Sequence, residues 1–537
     1  MFRNQKRISL FIATLFAGLA LETAPVFALA DGQALTPPMG WSSWNWFGCT
    51  GASGNRVAGF PGNKNGIGIS ESITVQIADA MVSTGMKDAG YQFVNLDDCY
   101  LEHLRTNEGG LQALKKTFPK GIKAVADSVH KRGLKFGVYS CVFEYTCANV
   151  YDIQGNGQPG MWGYEQQDAD TMVAWGIDYL KVDYCGYLDH QSASATPAEK
   201  AKLAKDRYTK IGTALKTAVS KARAAGKPAK DIIFSVCEWG FHEPFNWAPE
   251  IGHLWRTAND IRANWPKFME QVTAALNLYP YSGPGKWNDT DMMEVGNNVP
   301  MNESRAHFAL WSILASPMIA GNDLRSMTPE ITALLTNKEI TAINQDSLGF
   351  QGRKVKGTTL TTFVVSKKLK DGSFAVLFVN GTSSAATISA TWAEIGSVVP
   401  SGIPAGEVMR VRDLFGKADL PNATGSFTRA DIPSHDVFMF KLSGPSVGIK
   451  NKPKSISLNS IDFSMNYSAK DVKIYAKSLS PVSFSVVNLK GAIIQKSEIL
   501  GTGNIEWSLP LEGIHPGTYF VTMYSGKNSL RKKLVIN

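Results

Sequence analysis

Between residues 38 and 330, eight short apolar runs alternate with longer segments in which apolar residues recur at helical spacing. The runs cover residues 41–46, 91–96, 134–140, 179–182, 232–237, 254–257, 286–288 and 317–320, and the helical segments include 70–89, 121–132, 164–175 and 198–225. Alternation of this kind over about 290 residues predicts a (β/α)8 barrel of the α/β class, spanning 31–344. An open doubly wound sheet is the alternative, but no Gly-x-Gly-x-x-Gly follows the first run, which weakens its dinucleotide-binding form.

The character of the chain changes after about residue 345. Residues 359–365, 373–380 and 437–442 are rich in β-branched and aromatic side chains and are separated by Gly, Asp, Asn and Pro. This pattern predicts an antiparallel β-sandwich over 345–443. A Gly-Pro-Ser-Val-Gly stretch followed by lysines predicts a linker over 444–454, and apolar runs at 472–476, 482–487 and 519–523 predict a small all-β domain over 455–537.

The N-terminus has the layout of a secretory signal peptide. A basic start is followed by an apolar stretch from Ile8 to about Leu21 and then by Ala-Leu-Ala, so residues 1–30 are predicted to be removed after Ala30. Glu22 and Pro25 interrupt the apolar stretch, which makes it a poor permanent membrane span, and no other stretch is long enough to be one. The protein is therefore expected to be secreted, whether periplasmic, extracellular or at the cell surface.

The distribution of charge argues against a polyanionic partner. The formal net charge is +9, but residues 1–30 carry +2 and residues 445–537 carry +7, which leaves residues 31–444 neutral. A neutral main body has no broad cationic face, so nucleic acid is not predicted as a substrate.

Six cysteines, at positions 49, 99, 141, 147, 185 and 237, lie in the first half of the chain. Some are expected to pair in an exported protein, but spacing alone does not choose among the fifteen complete pairings. Cys-x-x-Cys and His-x-x-His patterns are absent from the sequence, and it has only eight histidines, so neither a metal site nor a cofactor is predicted.

Acidic residues follow most of the predicted strands. They are Asp97 and Asp98 after the second run, Asp183 after the fourth, Glu238 after the fifth, Asp260 after the sixth, Asp289 and Asp291 after the seventh, and Asp323 after the eighth. A single acid in such a position is more often a helix N-cap than a catalyst. Several acids on one rim, where barrel enzymes place their active sites, predict a pocket lined by carboxylates.

Hydrolysis of a glycosidic bond suits such a pocket. The reaction needs one acid to protonate the leaving oxygen and a second carboxylate to attack or to activate water. Lys181 lies two residues before Asp183, so on a strand both side chains face the same side, and the cation favours an ionised Asp183. Arg256, four residues before Asp260, is placed to donate to a carboxylate or to a sugar hydroxyl. A non-catalytic sugar-binding protein is the alternative from another class, but it would not need both acids.

These segments resemble glycoside hydrolase family 27, the α-galactosidase and α-N-acetylgalactosaminidase group. The matching motifs are Leu-Thr-Pro-Pro-Met-Gly-Trp-Ser-Ser-Trp-Asn from residue 35, Asn-Leu-Asp-Asp-Cys at 95–99, Gly-Val-Tyr-Ser at 137–140, Leu-Lys-Val-Asp-Tyr-Cys at 180–185, Cys-Glu-Trp-Gly at 237–240, Trp-Arg-Thr-Ala-Asn-Asp-Ile at 255–261, Trp-Asn-Asp-Thr-Asp-Met at 287–292 and Ala-Ile-Asn-Gln-Asp at 342–346. The resemblance covers residues 35 to 443 and appears on nearly every predicted strand.

The resemblance implies a retaining exo-glycosidase that acts by double displacement, with Asp183 as nucleophile and Asp260 as general acid/base. It also implies a set of substrate-binding residues. Asp97 and Asp98 would accept the 4- and 6-hydroxyls of galactose, Trp44 would be a pocket wall, Tyr139 and Lys181 would flank the ring, Glu238 and Arg256 would lie near the 2- and 3-hydroxyls, and Asp291 would face the site. The implied disulfides are Cys49–Cys99 and Cys147–Cys185, which leave Cys141 and Cys237 as free thiols.

The paired acids Asp97 and Asp98 favour a galactose-configured ring with a 6-hydroxyl, so terminal α-D-galactosyl residues of oligo- or polysaccharides are the predicted substrate. A β-L-arabinopyranosidase, whose sugar lacks that carbon, is expected to alter this pair. Trp239, which is also expected to bind the substrate, leaves less room for a 2-acetamido group, and this disfavours an α-N-acetylgalactosaminidase. Both remain alternatives on the same scaffold.

The last eighty residues resemble the C-terminal sorting domains of type IX secretion, through the turn His-Pro-Gly-Thr-Tyr at 515–519 and a basic final strand. The resemblance implies contact with a secretion machinery. An accessory β-domain and a carbohydrate-binding module are the alternatives, and Trp507 is the single tryptophan that this tail offers for stacking on a sugar.

Overall fold

The computed structural model describes residue 29 and residues 31–49, 68–150, 157–444, 462–467, 471–478, 482–488, 493–499, 503–515, 517–525 and 528–536. The chain divides into two compact units, Met1–Pro445 and Ser446–Asn537. The predicted signal peptide (1–30) and the predicted linker (444–454) lie almost entirely outside the described residues.

The first unit contains a parallel eight-stranded barrel. Its strands are β1 (Met39–Ser42), β2 (Phe93–Asn95), β3 (Lys135–Cys141), β4 (Tyr179–Asp183), β5 (Ile233–Cys237), β6 (Leu254–Arg256), β7 (Trp287–Asp289) and β8 (Met318–Ala320). Each strand pairs with its neighbour in sequence from β1 to β7, and β1 pairs with β8. The ring closes through the segment after β7, where Met293 forms a parallel bridge to Ala320 and donates to the carbonyl oxygen of Ile319 at 2.7 Å. The predicted barrel is therefore confirmed.

Helices lie between the barrel strands and after β8. They are α1 (Trp44–Phe47), α2 (Glu71–Ser83), α3 (Ile122–His130), α4 (Cys147–Val150), α5 (Glu165–Trp175), α6 (Tyr187–His190), α7 (Pro197–Ala224), α8 (Trp265–Leu276), α9 (Met301–Ile313), α10 (Pro329–Leu335) and α11 (Lys338–Asn344), with short 3-10 turns at Lys87–Ala89, Pro244–Asn246, Ala248–Glu250 and Leu324–Ser326. Helix α7 shows why a helix begins where it does. Thr196 and Glu199 form a reciprocal capping box around a proline at the first helical position.

Two sequence predictions were wrong at element ends. The run 41–46 is a strand only as far as Ser42, because the chain then bends into α1 and turns Trp44 toward the rim of the barrel. The segment 70–89 is helical only to Ser83, because Gly85 adopts a positive φ of 82° and starts a 3-10 turn instead.

The predicted sandwich follows the barrel and packs on α9. One sheet has the order β14 (Ala418–Thr424), β13 (Val408–Asp413), β16 (Asp436–Ser443), β11 (Phe374–Asn380), β10 (Thr362–Lys368), β9 (Arg353–Lys356). The other sheet pairs β12 (Ala386–Thr391) with β15 (Ser426–Ile432). A short helix, α12 (Trp392–Gly396), follows β12 in the sequence. Phe363, Leu377 and Met439 belong to the same apolar cluster as the barrel core. The sandwich is thus joined to the barrel by a shared core, which holds the two as one unit.

The second unit is all-β. Its two sheets are β17 (Asp462–Tyr467), β18 (Asp471–Ser478), β21 (Gly503–Pro510), and β20 (Ile493–Ile499), β19 (Val482–Asn488), β22 (Gly517–Ser525), β23 (Asn528–Ile536). Trp507 is buried in the core of this unit and stacks on Phe484 at 5.1 Å. It is therefore not available as a sugar-stacking platform, which removes the feature that favoured a carbohydrate-binding module. Among the described helices of the whole chain, none has the length and apolarity needed to cross a membrane.

A buried ion pair anchors the loop that follows β2. The side chain of Arg105 is 8% exposed and makes two contacts of 2.7 Å with Asp168, and it also donates to the carbonyl oxygens of Gly109 and Gly160. Burial raises the pKa of Asp168 to about 6 even though Arg105 lowers it. Without Arg105, this carboxylate would be left in the interior with no compensating cation.

We therefore expect Arg105→Met to lower the free energy of unfolding by about 3–5 kcal/mol, as for other broken buried ion pairs. The matched control is Arg132→Met, which breaks a similar two-bond pair with Asp79 on the surface, where Arg132 is 25% exposed. That change should cost less than about 1 kcal/mol. Urea denaturation of the three proteins gives the comparison, and equal midpoints for the two variants would contradict it.

Candidate active site

A cavity of about 190 Å³ opens at the carboxyl ends of the barrel strands. Its lining comes from the ends of the barrel strands and from the segments that follow β1 to β7: Trp44, Asn45, Asp97, Asp98, Tyr139, Cys147, Lys181, Asp183, Cys185, Tyr187, Trp239, Phe241, Arg256, Asn259, Asp260, Ile261, Arg262, Asp291 and Met292. Ten of the eleven residues predicted to act on or bind a substrate are among them. A cavity of this size and depth holds one small polar ligand.

Lys181 organises the floor of the cavity. Its Nζ lies 2.9 Å from Oδ2 of Asp97 and 3.7 Å from Oδ2 of Asp183, and it stands 5.3 Å from the ring centre of Tyr139. Burial opposes the charge on Lys181, but the two carboxylates outweigh it and raise the pKa of the ammonium group well above its usual value. The floor therefore keeps a permanent cation beside Asp183.

Asp98 is buried directly after Asp97, the nearer carboxylate partner of Lys181. Its carboxylate accepts hydrogen bonds from the backbone N–H of Cys99 at 2.7 Å and of Ala148 at 2.8 Å. Burial raises its pKa to about 7, and the charge of Asp97 adds to the rise. Near neutral pH, Asp98 is thus able either to donate or to accept a hydrogen bond.

The two disulfides of the described residues support this wall of the cavity. Cys49 pairs with Cys99, directly after Asp98, and Cys147 pairs with Cys185, two residues after Asp183. The second disulfide lines the cavity itself. Cys141 and Cys237 are free and buried.

Arg256 holds the opposite side of the cavity. Its Nη2 lies 2.6 Å from Oδ2 of Asp291 and 3.2 Å from Oδ1 of Asp260, and its Nη1 lies 3.6 Å from the sulfur of Cys237. The same Asp291 oxygen accepts the backbone N–H of Ile261 at 2.9 Å, which fixes the loop that carries Asp260. Asp291 therefore acts mainly on its neighbours, by orienting the guanidinium and the loop.

Asp183 and Asp260 differ in their surroundings. Asp183 is buried, and its Oδ1 has no hydrogen-bond partner among the described residues. Burial raises its pKa to about 6, although Lys181 lowers it. The side chain of Asp260 is 52% exposed at the mouth, and although desolvation opposes its ionisation, the charges of Arg256 and Lys181 lower its pKa. An unsatisfied buried carboxylate oxygen is costly unless a ligand completes it.

Glu238 does not lie where the sequence placed it. It is fully buried behind the cavity lining, and its carboxylate accepts the backbone N–H of His242 at 3.1 Å and contacts the His242 ring at 2.9 Å. The cause is the backbone after β5, where Trp239 takes a positive φ of 58° and enters the cavity lining in its place. Asp323, another predicted rim acid, caps a 3-10 turn and pairs with Arg325 outside the cavity.

The sequence missed seven cavity residues, which lie on α1, on α6 and in the loops after β5, β6 and β7: Asn45, Tyr187, Phe241, Asn259, Ile261, Arg262 and Met292. Most lie within four residues of a strand-end residue that was predicted. Position next to a strand end was the available signal, but it does not say which loop side chains turn inward. Among the described residues, no group of three or more His, Cys, Asp or Glu side chains is arranged to hold a metal ion.

Comparison with known proteins matches the barrel. A family model described as alpha galactosidase A covers residues 36–346, more than half of the chain. The chain belongs to this family of glycoside hydrolases. Two further family models match the rest of the chain. One is described as an alpha galactosidase C-terminal beta sandwich domain and matches residues 361–442, and the other is described as a secretion system C-terminal sorting domain and matches residues 466–537. The sorting domain is that of an exported protein.

The chain is similar over most of its length to proteins named as alpha-galactosidases. It is 39% identical to an alpha-galactosidase of Cyamopsis tetragonoloba over 77% of this chain and 87% of the relative. It is also 39% identical to alpha-galactosidase A of Cellvibrio japonicus over 80% of this chain and 98% of the relative. Among solved structures, alpha-galactosidase I of Mortierella vinacea superimposes with a TM-score of 0.66 at 32% identity, over 77% of this chain and 98% of that one.

Proposed function

We propose that this glycoside hydrolase releases terminal α-D-galactosyl residues with retention of configuration, with Asp183 as nucleophile and Asp260 as general acid/base. One observation carries the proposal: the cavity at the carboxyl ends of the barrel strands has a buried carboxylate beside a cation and a second carboxylate at its mouth. The volume of about 190 Å³ is small enough that a saccharide would enter by its end, which makes the action exo. Two carboxylates with these separate positions are what glycosidic hydrolysis requires.

The positions of the strands orient the sugar. Strands β2 and β6 lie on opposite sides of the barrel, so Asp97 and Asp98 at the end of β2 face the loop after β6 that carries Asp260. In a pyranose, C1 and C4 are also opposite each other. With C1 beside Asp260, the 4- and 6-hydroxyls reach the β2 acids, which is the arrangement that a galactose ring with its axial 4-hydroxyl satisfies.

The reaction proceeds in two steps, formation of a glycosyl ester on Asp183 and its hydrolysis by water. An oxygen of Asp183 bonds to C1 while the glycosidic C1–O bond breaks, and the proton of Asp260 goes to the departing oxygen. Water then attacks C1, its proton passes to Asp260, and the ester bond to Asp183 breaks. Two inversions at C1 leave the product with the configuration of the substrate.

Binding of the sugar prepares the two acids for their roles. The protein's own groups give Asp183 a raised pKa and Asp260 a lowered pKa, which is the reverse of what the first step needs. A sugar in the cavity removes water from the exposed Asp260 and so raises its pKa, while a sugar hydroxyl can donate to Asp183. Once Asp183 becomes an uncharged ester, the pKa of Asp260 falls again, as a base for the second step requires.

The stereochemistry of the first product tests this proposal. Proton NMR during hydrolysis of nitrophenyl α-D-galactoside should show α-galactose first, with the β anomer appearing only by mutarotation. In the same assay, kcat/KM for the β-L-arabinopyranoside and for the α-N-acetylgalactosaminide should be at least about tenfold lower than for the galactoside. The arabinopyranoside lacks the 6-hydroxyl that the β2 acids would accept, and the N-acetylgalactosaminide adds a 2-acetamido group. First release of β-galactose would contradict retention, and faster turnover of the arabinopyranoside would contradict the sugar assignment.

Export is part of the same proposal. Residues 1–30 direct the chain across a membrane and are removed, and the C-terminal unit is read by a secretion machinery that delivers the enzyme to the periplasm, the cell surface or the medium. The match of residues 466–537 to a secretion sorting domain supports this route.

A further inference from the structure

Two free thiols bracket the proposed nucleophile. Cys141 ends β3, Asp183 ends β4 and Cys237 ends β5, and the strand register pairs Asp183 with both cysteines. Neighbouring strands lie about 4.8 Å apart, so the three side chains stand side by side at one level of the barrel. Both cysteines are fully buried, and neither lines the cavity. The two thiols are therefore placed to act on Asp183 rather than on a ligand.

Cys141 holds the backbone of the turn that begins with Asp183. Its sulfur lies 3.2 Å from the carbonyl oxygen of Asp183 and 3.2 Å from that of Cys185, and the thiol can donate its hydrogen to either. The backbone N–H of Val142 donates to the same Asp183 carbonyl oxygen at 2.9 Å. Because Asp183, Cys185 and Tyr187 in this turn all line the cavity, Cys141 acts on the cavity through the path of the backbone.

Cys237 holds the side chain of Asp183 instead of its backbone. The sulfur of Cys237 accepts from Nη1 of Arg256 at 3.6 Å, and its thiol donates to the carboxylate of Asp183. Burial raises the pKa of Asp183, and this hydrogen bond is one of the contacts that lower it. The thiol thus links the carboxylate that attacks C1 to the guanidinium that contacts Asp260.

Both cysteines keep their thiol hydrogens. Burial raises the pKa of each thiol well above its usual value, and the charge of Asp183 adds to the rise. Because β4 lies between them, Cys141 and Cys237 are separated by two strand spacings, about 10 Å, whereas a disulfide needs Cα atoms within about 7 Å. The two thiols therefore cannot pair with each other across Asp183.

We propose that Cys141 and Cys237 are positioning residues for the nucleophile, Cys141 for the backbone of Asp183 and Cys237 for its carboxylate. This inference rests on the proposed function, because it takes Asp183 as the group that attacks C1. A misplacement of about 1 Å in such a group can cost about 10²-fold in rate. A thiol is a weak donor, so it orients the carboxylate while leaving the attacking oxygen reactive.

The pH dependence of hydrolysis tests the role of Cys237. Cys237→Ala removes a hydrogen bond that favours the ionised carboxylate, so the pKa of Asp183 should rise. Since hydrolysis needs an ionised Asp183, the acid limb of kcat/KM on nitrophenyl α-D-galactoside should move to higher pH by about 0.5–1 unit. Cys237→Ser keeps a donor and should restore the limb.

Cys141→Ala tests the backbone contact. The Asp183 carboxylate keeps its hydrogen bond from Cys237 in this variant, so the acid limb should not move, while kcat should fall about tenfold because Asp183 is less well placed. Calorimetry should show galactose binding within about twofold of wild type. Ser140→Ala is the matched control, since Ser140 is also fully buried on β3 but faces the opposite side of the strand. It should change neither the limb nor kcat.

An acid limb that stays in place in Cys237→Ala, or a kcat in Cys141→Ala equal to that of Ser140→Ala, would overturn the inference. Loss of galactose binding together with rate would also contradict it, since that result shows damage to the fold rather than misplacement of one group. If Asp183→Asn leaves hydrolysis unchanged, the nucleophile and with it the proposed function fail instead, so the two failures are distinguishable.

Discussion

Asp183→Asn should lower kcat/KM on α-galactosides by at least about 10⁴-fold, the scale of loss when a catalytic nucleophile is removed. The amide has the shape of the carboxylate but cannot form the ester with C1. Lys181 keeps its closer partner Asp97 at 2.9 Å, so the floor of the cavity should retain its geometry. Galactose should therefore still bind, which calorimetry can measure beside the hydrolysis rate.

The control for this variant is Asp323→Asn, an acid at the end of β8 that lies outside the cavity. Its rate should equal that of the wild type. The smaller variant Asp183→Gly leaves space for an added nucleophile, and azide should give β-galactosyl azide, since it attacks from the face that Asp183 occupies. Unchanged hydrolysis by Asp183→Asn would refute the nucleophile, and loss of galactose binding together with rate would show a structural effect.

Asp260→Asn should have an effect that depends on the leaving group. On a galactosyl disaccharide, whose leaving oxygen needs a proton, kcat/KM should fall about 10²- to 10⁴-fold, the usual contribution of general acid catalysis. On α-galactosyl fluoride, which leaves without one, kcat/KM should fall less than about tenfold. The alkaline fall in the disaccharide pH profile of the wild type, caused by loss of the Asp260 proton, should also be absent in the variant.

Azide distinguishes the two acids by stereochemistry. In Asp260→Gly, azide would attack the ester on Asp183 from the opposite face and give α-galactosyl azide. Arg256 is left with Asp291 at 2.6 Å in this variant, so the cavity wall should persist. Formation of the β-azide here, or equal losses on disaccharide and fluoride, would contradict the role of Asp260.

Several features of this protein follow from local sequence. Strands alternating with helices predict a parallel α/β fold, because parallel strands need long right-handed crossovers and must bury both faces, and eight such strands favour a barrel over an open sheet. Since all eight strands then end on one rim, acids such as Asp97 and Asp183 that follow apolar runs are brought together without knowledge of the loops. The choice of Asp183 and Asp260 among these acids came from the family resemblance, not from spacing.

Tertiary structure decided which side chains enter the cavity. Glu238 ends a strand just as Asp183 does, yet the positive φ at Trp239 puts the indole in the cavity and leaves Glu238 bonded to His242. Phe241 lies in the same loop, whose path depends on the contact of Gly240 with Thr257. Period-2 alternation predicts direction only while a residue stays in a strand. Beyond the strand end, the direction of a side chain is set by backbone torsions and by contacts with loops distant in sequence. For that reason the sequence determined the barrel and its acidic rim, while the tertiary structure alone decided which aromatic side chains lie at the mouth of the cavity.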